Sequence, residues 1–124
     1  MSRLVVPVER DEQYRSRISA HFGRAPLFAV VEISEDGVAR SLEIVENVGR
    51  HSGGRGLAHD AVAKFRPDAM VVMGMGPRGL QRFQDEGVAV FTGEVTTVGE
   101  AIEAYVRGQL RGLTEACREA RHHF

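Results

Sequence analysis

Several features typical of metalloproteins and exported proteins are scarce in this chain. A single cysteine, Cys117, rules out an internal disulfide and a multi-thiolate cluster site. The 16 basic and 17 acidic side chains nearly cancel, so no overall positive field is expected that would attract nucleic acid or an anionic membrane. No apolar run approaches the ~20 residues of a membrane span, and the first residues lack the apolar stretch of a signal peptide. These scarcities predict a cytoplasmic protein in which any metal is bound mostly by ligands other than thiolates.

The rest of the composition is that of one folded domain. Apolar residues make up 43% and charged residues 27% of the 124 residues, which are ordinary values for a globular protein. Runs of β-branched and aromatic residues predict five strands, and apolar residues at helical spacing predict the helices between them. The predicted strands cover residues 3–8, 27–33, 38–46, 69–73 and 88–91. The predicted helices cover residues 57–66, 78–86 and a segment capped by Thr97, with further helix expected beyond Gly108.

The order of these elements predicts an α/β fold. An Asp36-Gly37 turn pairs strands two and three antiparallel, and the later strand-helix-strand order favours parallel pairing through right-handed crossovers. A mixed five-stranded sheet in the order β-β-β-α-β-α-β-α follows, with helices packed on it. Its strand directions bring four loops to one edge, where open α/β sheets bind ligands. These loops are residues 9–26, 47–56, 74–77 and 92–96.

Two histidines lie in these loops, His21 in the first and His51 in the second. Neutral imidazole is the commonest protein metal ligand, and loops from separate strands can bring two such side chains together. His21 and His51 are therefore candidate metal ligands. The alternative is that each is a solvated or hydrogen-bonded loop side chain.

A glycine-rich segment precedes the first predicted helix. The backbone N–H groups of Gly53 and Gly54 can point at an anion, where the helix dipole adds about 0.3 to 1 kcal/mol per charge. Arg24 and Arg55 can add cationic hydrogen-bond donors. The alternative is a turn whose glycines only permit unusual backbone dihedral angles.

A second glycine-rich segment, Gly74-Met75-Gly76-Pro77, begins a match to the dinucleotide fingerprint G-x-G-x-x-G. Pro77 lacks the N–H that should face a pyrophosphate, and too little chain follows for the remaining strands of a nucleotide-binding half, so dinucleotide binding is disfavoured. Approach of the Gly74 and Gly76 backbone to another anion stays open. The Met75 thioether is a candidate contact for a soft metal, with core packing as the alternative.

The sequence contains no recognisable catalytic pattern. The candidate carboxylates show no pairing at catalytic spacing; they are Glu9, Asp11, Glu12 and Asp68. No nucleophile elbow, phosphate-binding loop or multi-cysteine zinc pattern occurs. The chain is therefore predicted not to be an enzyme. Cys117 with His122 and His123 forms a possible soft-metal group near the end of the chain, although a solvated tail is the favoured interpretation.

The segment from Ile18 to Phe28 closely resembles the S-x-H-F-G-R-A-P-x-F signature of the dinitrogenase iron-molybdenum cofactor family. Similarity continues through residues 5–8, Asn47, 51–56, 74–77, 87–91 and 98–105, and ends near Gly112. The chain departs from the common pattern at Val48, where relatives often have proline, and at Arg55, where they often have a small residue.

The resemblance implies a ribonuclease H-like α/β motif over residues 1–112, followed by a helical or flexible tail over 113–124. It also implies binding or carriage of the iron-molybdenum cofactor, its precursors or other molybdenum-containing clusters, with His21 and His51 as cluster contacts. The cofactor-binding residues predicted from residues and resemblance together are His21, Arg24, Gly53, Gly54, Arg55, Gly74, Met75 and Gly76, with His21 and His51 as metal ligands.

The leading hypothesis is a non-catalytic carrier, possibly an accessory of nitrogen fixation, in which imidazole contacts an iron-molybdenum or other metal-sulfur cluster. Loop amides and Arg24 or Arg55 would stabilise the negative charge of the cluster. The expected partner is an acceptor or cluster-assembly protein, not nucleic acid or a membrane. A metal-free interaction or regulatory module is the alternative. A ribonuclease H-like phosphoryl-transfer enzyme is a weaker one, because the carboxylate cluster for two metal ions is missing.

Overall fold

The computed structural model describes residues 1–47 and 57–120. Within these ranges the chain has the strands and helices of an α/β fold, as predicted. The strands are β1 (Ser2–Val8), β2 (Leu27–Ile33), β3 (Ala39–Glu46), β4 (Ala69–Val71), β5 (Ala89–Thr92) and β6 (Arg111–Gly112). The helices are α1 (Leu57–Ala63), α2 (Pro77–Asp85), α3 (Val98–Val106) and the single turn α4 (Cys117–Ala120), with 3-10 turns at Gln13–Arg15 and Phe22–Arg24.

One mixed sheet contains the six strands in the order β3-β2-β1-β4-β5-β6. β1 pairs antiparallel with β2 along its whole length and parallel with β4. β4 pairs parallel with β5, and β3 pairs antiparallel with β2. β1, β3, β4 and β5 therefore run in one direction, and their carboxyl ends share one edge of the sheet.

β2 and β3 form the hairpin that the Asp36-Gly37 pair predicts. The backbone N–H of Ser34 donates to the carbonyl of Val38 at 2.9 Å, which closes the connection. Gly37 takes a φ of +80°, a left-handed value that glycine adopts without steric cost. The hairpin thus ends in a turn whose conformation depends on its glycine.

The predicted five-stranded sheet and ribonuclease H-like motif are wrong for this chain. Beyond Gly108, where the sequence predicts further helix, Arg111 and Gly112 form β6 and pair antiparallel with Phe91 and Thr92 of β5. Gly108 has a φ of +68°, a conformation that ends helices and reverses the chain. A two-residue strand is too short to show the side-chain alternation by which strands are recognised, so no local pattern predicted it.

Both faces of the sheet are covered by apolar side chains. Leu4 and Val6 of β1 lie in the cluster beneath α3, whereas Val5 lies in the cluster beneath α1 and α2. Because of this alternation, helices pack on each face of the sheet. The connecting loops lie at the edge where the strands have their carboxyl ends. None of the helices in the described residues is long and apolar enough to cross a membrane.

Candidate functional site

Two loops are joined at the sheet edge where β1 and β5 end. The backbone N–H of Ile18, in the loop after β1, donates to the carbonyl of Thr96 at 2.9 Å. The N–H of Val98, at the start of α3, donates to the carbonyl of Ser16 at 3.0 Å. The strand directions predict that these loops converge, and the hydrogen bonds connect them directly.

A cleft of about 420 Å³ opens at this edge. Its polar lining residues are Glu9, Arg17, Ser19, His21, Arg24 and Thr96. Its apolar lining residues are Ile18, Ala20 and Met73. The residues that line this single space therefore carry two guanidinium groups, one imidazole, one carboxylate and one thioether.

Ser19 fixes the backbone at His21. Ser19 is buried, and its N–H donates to the carbonyl of Pro7 near the end of β1 at 2.8 Å. Its hydroxyl donates to the carbonyl of His21 at 3.2 Å and accepts from the N–H of His21 at 3.4 Å. His21 itself is exposed and lines the cleft, so its imidazole is accessible to a ligand.

Phe22 anchors the same segment in the core. Its ring is buried, with its centroid 5.8 Å from that of Phe28 and 5.7 Å from that of Phe83. The 3-10 turn Phe22–Arg24 then closes as the N–H of Arg24 donates to the carbonyl of His21 at 3.2 Å. The buried Phe22 ring thus fixes a single turn that has His21 at one end and Arg24 at the other. Both of these residues line the same cleft.

The charges at the cleft favour an anion. Arg17 and Arg24 are exposed, and within residues 1–47 and 57–120 neither forms an ion pair with a carboxylate. Glu9 contributes one opposing charge at the same cleft. Two guanidinium groups against one carboxylate leave net positive charge and free N–H donors.

The second glycine-rich segment approaches the cleft through Gly74. A Cβ atom on Gly74 would lie 3.2 Å from the carbonyl oxygen of Ala20, so glycine permits the close approach of these two segments. Gly76 precedes α2 with φ −64° and ψ 155°, and a Cβ atom there would meet nothing within 4 Å. Met75 is half-buried and packs against the apolar cluster beneath α1 and α2, whereas Met73 lines the cleft.

Four of the predicted metal and anion contacts lie beyond the part of the chain that the structure describes. His51, Gly53, Gly54 and Arg55 lie outside the described residues, so their roles stay predictions. In the part of the chain that the structure describes, no group of three or more histidine, cysteine, aspartate or glutamate side chains is placed to hold a metal ion. Cys117 is buried, with its thiol 3.2 Å from the carbonyl of Val90.

Three lining residues, Arg17, Met73 and Thr96, are not singled out by any sequence pattern. Arg17 precedes the signature segment that begins at Ile18. Met73 is the last residue of an apolar run, a pattern that predicts burial in the core. Each reaches the cleft only because separate loops meet in the folded chain. The sequence does place each of them at or near the end of a predicted strand, or within a loop that is predicted to converge with others. That position is the one sequence signal that could have indicated a role at the cleft.

The fold and the cleft define a class of small α/β domain whose parallel strands end at a basic, histidine-bearing cleft. The chain matches the family described as dinitrogenase iron-molybdenum cofactor over residues 2–108. It therefore belongs to that family, and the resemblance carried by residues 18–28 is confirmed.

The chain is also similar to individual proteins of known sequence or structure. The chain is 29% identical over 112 residues to an uncharacterized protein of Methanocaldococcus jannaschii, a match that covers 89% of this chain and 90% of that protein. It is similar to the apo form of the orange protein from Desulfovibrio gigas, with 25% identity, a TM-score of 0.75 and coverage of 90% of this chain and 92% of that one. It is also similar to a NifB-like protein from Thermotoga, with 28% identity, a TM-score of 0.69 and coverage of 92% and 95%.

Proposed function

We propose that this chain is a non-catalytic accessory protein that binds and carries an anionic metal-sulfur cluster, of the iron-molybdenum cofactor type or related to it. Its family is named for that cofactor, and similar solved structures include a protein studied in its apo form and a NifB-like protein. The observation that carries the proposal is the convergence of His21, Arg17 and Arg24 on one cleft.

The chemistry of the cleft suits such a cluster. Sulfido clusters carry negative charge on their sulfur atoms, and the N–H groups of Arg17 and Arg24 can donate to them. Hydrogen bonds to charged groups contribute about 1.5 to 3 kcal/mol each, so two guanidinium groups supply substantial affinity. The imidazole of His21 can add one bond to a metal atom of the cluster.

A carrier must also release its cargo. The arginine contacts are electrostatic and can exchange with those of an acceptor or cluster-assembly protein. This arrangement supports reversible carriage of a preformed cluster.

Anaerobic reconstitution tests the proposal directly. Purified protein is mixed with tetrathiomolybdate, alone and with ferrous iron and sulfide, and is then desalted. We expect a visible absorption band that stays with the protein and a fixed molybdenum content per chain. A colourless, molybdenum-free protein after desalting in both mixtures would contradict the proposal.

Matched variants assign the binding to the cleft. His21→Ala and Arg24→Gln should each lower the retained molybdenum at least fivefold, because each removes a contact worth roughly 1 kcal/mol or more. Arg107→Gln is the control: it removes an exposed arginine paired with Glu103 at 3.0 Å, at the end of α3 remote from Thr97. If Arg107→Gln lowers retention as much as Arg24→Gln does, general electrostatic attraction explains the binding and the cleft assignment fails.

A further inference from the structure

The two outer edges of the sheet differ in how they are closed. β6 pairs along the β5 edge, and the chain beyond it adds further hydrogen bonds to β5. The N–H of Leu113 donates to the carbonyl of Val90 at 2.7 Å, and the N–H of Val90 donates to the Thr114 hydroxyl at 3.0 Å. β3 lies at the other edge, and among the described strands it pairs only with β2. An eight-residue strand with one open side is a template for pairing with another extended chain.

The backbone groups on the open side of β3 follow from its register with β2. The N–H of Asn47 donates to the carbonyl of Pro26 at 2.9 Å, which continues the β2–β3 register by one residue pair. In an antiparallel ladder, residues that bond to one neighbouring strand alternate with residues whose N–H and C=O groups point away from it. The alternation therefore points the backbone groups of Leu42, Ile44 and Glu46 away from β2.

The side chains of β3 are complementary to those of a second β3 strand. When two copies align antiparallel about Glu43, Arg40 of each copy lies opposite Glu46 of the other. The same alignment places Leu42 opposite Ile44, and both of these side chains already pack against the apolar cluster beneath α3. Cross-strand pairs of opposite charge and cross-strand apolar pairs both stabilise a sheet.

One like-charge contact opposes this alignment. Glu43 is exposed and lies opposite its own copy, where two carboxylates repel each other. The attractive pair of Arg40 with Glu46 occurs twice, whereas the repulsion occurs once. Arg40 donates to Ser34 and Asp36 within its own hairpin and keeps further N–H donors for a second carboxylate. The balance of charge along the strand thus favours pairing and makes Glu43 its weak point.

We propose that β3 pairs antiparallel with β3 of a second copy of this chain, about a two-fold axis at Glu43. The two six-stranded sheets then join into one sheet of twelve strands. The N–H and C=O groups of Leu42 and Ile44 exchange hydrogen bonds across the axis, as in β-strand addition. Because β1 runs parallel to β3, the antiparallel pairing puts the two clefts at opposite ends of the joined sheet. Pairing therefore needs no ligand in either cleft.

Sedimentation equilibrium of the full chain without added metal tests the pairing. We expect a reversible equilibrium in which the fraction of dimer rises with protein concentration. Arg40→Glu and Glu46→Arg should each raise the dimer dissociation constant about tenfold, because each turns two attractive cross-strand pairs into repulsive ones.

Two further variants show whether these effects are local to β3. The double substitution Arg40→Glu with Glu46→Arg restores attraction with the charges exchanged, so its dissociation constant should return to within about threefold of the parent's. Arg111→Glu is the matched control, since Arg111 is an exposed arginine in β6 at the opposite edge of the sheet. It should change the dissociation constant by less than about twofold.

The alignment about Glu43 makes its own prediction. Glu43→Gln removes the central repulsion and should tighten the dimer about fivefold. An alignment about Leu42 would instead place Glu43 opposite Ser41, and the same substitution would bring no such gain. Amide hydrogen exchange reports the backbone bonds: the N–H groups of Leu42 and Ile44 should exchange more slowly in the parent than in Arg40→Glu at equal concentration. The N–H groups of Glu43 and Val45, which point toward β2, should exchange alike in both proteins.

Three results would each overturn the inference. The first is a parent protein and a Glu43→Gln variant that both stay monomeric at every concentration. The second is a dimer that Arg40→Glu does not weaken, that the double substitution does not restore, or that Glu43→Gln does not tighten. The third is equal exchange of the Leu42 and Ile44 amides in the parent and in Arg40→Glu. Retention of tetrathiomolybdate is measured separately, so failure of the pairing and failure of the proposed function are distinguishable.

Discussion

The side-chain amide of Asn47 donates a hydrogen bond to the backbone carbonyl of Ala25, with 2.8 Å between Nδ2 and the oxygen. The backbone N–H of Asn47 also donates to the carbonyl of Pro26 at 2.9 Å, and the residue is fully buried. Asn47 directly follows β3. The end of the hairpin is therefore fastened to the turn that carries His21 and Arg24.

Asn47→Ala should destabilise the protein by about 1 to 3 kcal/mol, because it leaves the buried carbonyl of Ala25 without its side-chain donor. The free energy of unfolding, measured by urea denaturation, gives this loss. The turn that holds His21 should also loosen, so the variant should retain less tetrathiomolybdate than the parent at the same protein concentration.

Gln81→Ala is the control for that measurement. Gln81 is an exposed amide whose Nε2 lies 2.8 Å from the Asp85 carboxylate on the same helix. Its removal should change the free energy of unfolding by no more than about 0.5 kcal/mol. Equal losses in the two variants would show that burial of the Asn47 amide contributes nothing specific.

Gly74→Ala should displace the segment from Ile18 to His21, since the added methyl group would lie 3.2 Å from a backbone oxygen of Ala20. Overpacking of this kind costs about 1 to 3 kcal/mol, and the lower end is expected at a surface cleft. Amide chemical shifts of residues 18–21 and urea denaturation measure the displacement and the cost.

Gly76→Ala is the paired substitution in the same loop. Its backbone dihedral angles suit alanine and a Cβ atom would meet nothing within 4 Å. Restricting the unfolded chain at such a position stabilises proteins by about 0.4 to 1 kcal/mol. A Gly74→Ala protein as stable as Gly76→Ala would show that the close approach to Ala20 is unimportant.

Thr97→Ala should lower stability by about 1 kcal/mol through loss of the N-cap of α3. The Thr97 hydroxyl accepts from the N–H of Glu100 at 3.3 Å, and the residue is extended, as an N-cap requires. Thr97→Ser keeps an acceptor at this place and should recover most of the loss in a thermal unfolding experiment. If serine is as destabilising as alanine, the threonine methyl group rather than the cap is responsible.

How far the sequence predicts this molecule depends on the range of each interaction. The bounds of β2, the Asp36-Gly37 hairpin and the Thr97 cap depend on adjacent residues, and each prediction is confirmed. β6 exists only because Phe91 and Thr92, some twenty positions earlier along the chain, offer an open strand edge. Its two residues carry no pattern of their own, which is why the predicted sheet was one strand short.

The residues of the candidate site also differ in whether a local motif or only the folded chain identifies them. His21 and Arg24 stand in one short signature and lie in one turn, so a local motif was sufficient to select both. Met73 and Arg17 become neighbours of that turn only through the convergence of loops from different strands. Met75 and Met73 look alike in the sequence, and only the folded structure shows that Met75 packs in the apolar cluster beneath α1 and α2 whereas Met73 lines the cleft.

Tyr105 predicts how stability should vary at high pH. Burial raises the pKa of its phenol above the ordinary value of 10.0, while a hydrogen bond with Ser2 acts in the opposite direction and the charge of Asp68 raises it further. The ring is 5% exposed and packs edge-on against Phe91, with 5.6 Å between centroids. The folded state therefore favours the neutral phenol more than the unfolded state does.

The direction in which stability changes with pH follows from proton binding to Tyr105 in the folded and unfolded states. Above the unfolded pKa of about 10, the unfolded chain gives up the Tyr105 proton while the folded chain keeps it. The contribution of this group is thus fully present below pH 10 and is lost as the pH rises through the higher pKa of the folded state. Urea denaturation between pH 9 and 11.5 should show a decline that is shallower in Tyr105→Phe, because phenylalanine has no phenol to titrate. Tyr14→Phe, which alters a ring that is 44% exposed, should keep the parent's decline, and an equal decline in Tyr105→Phe would mean that another group is responsible.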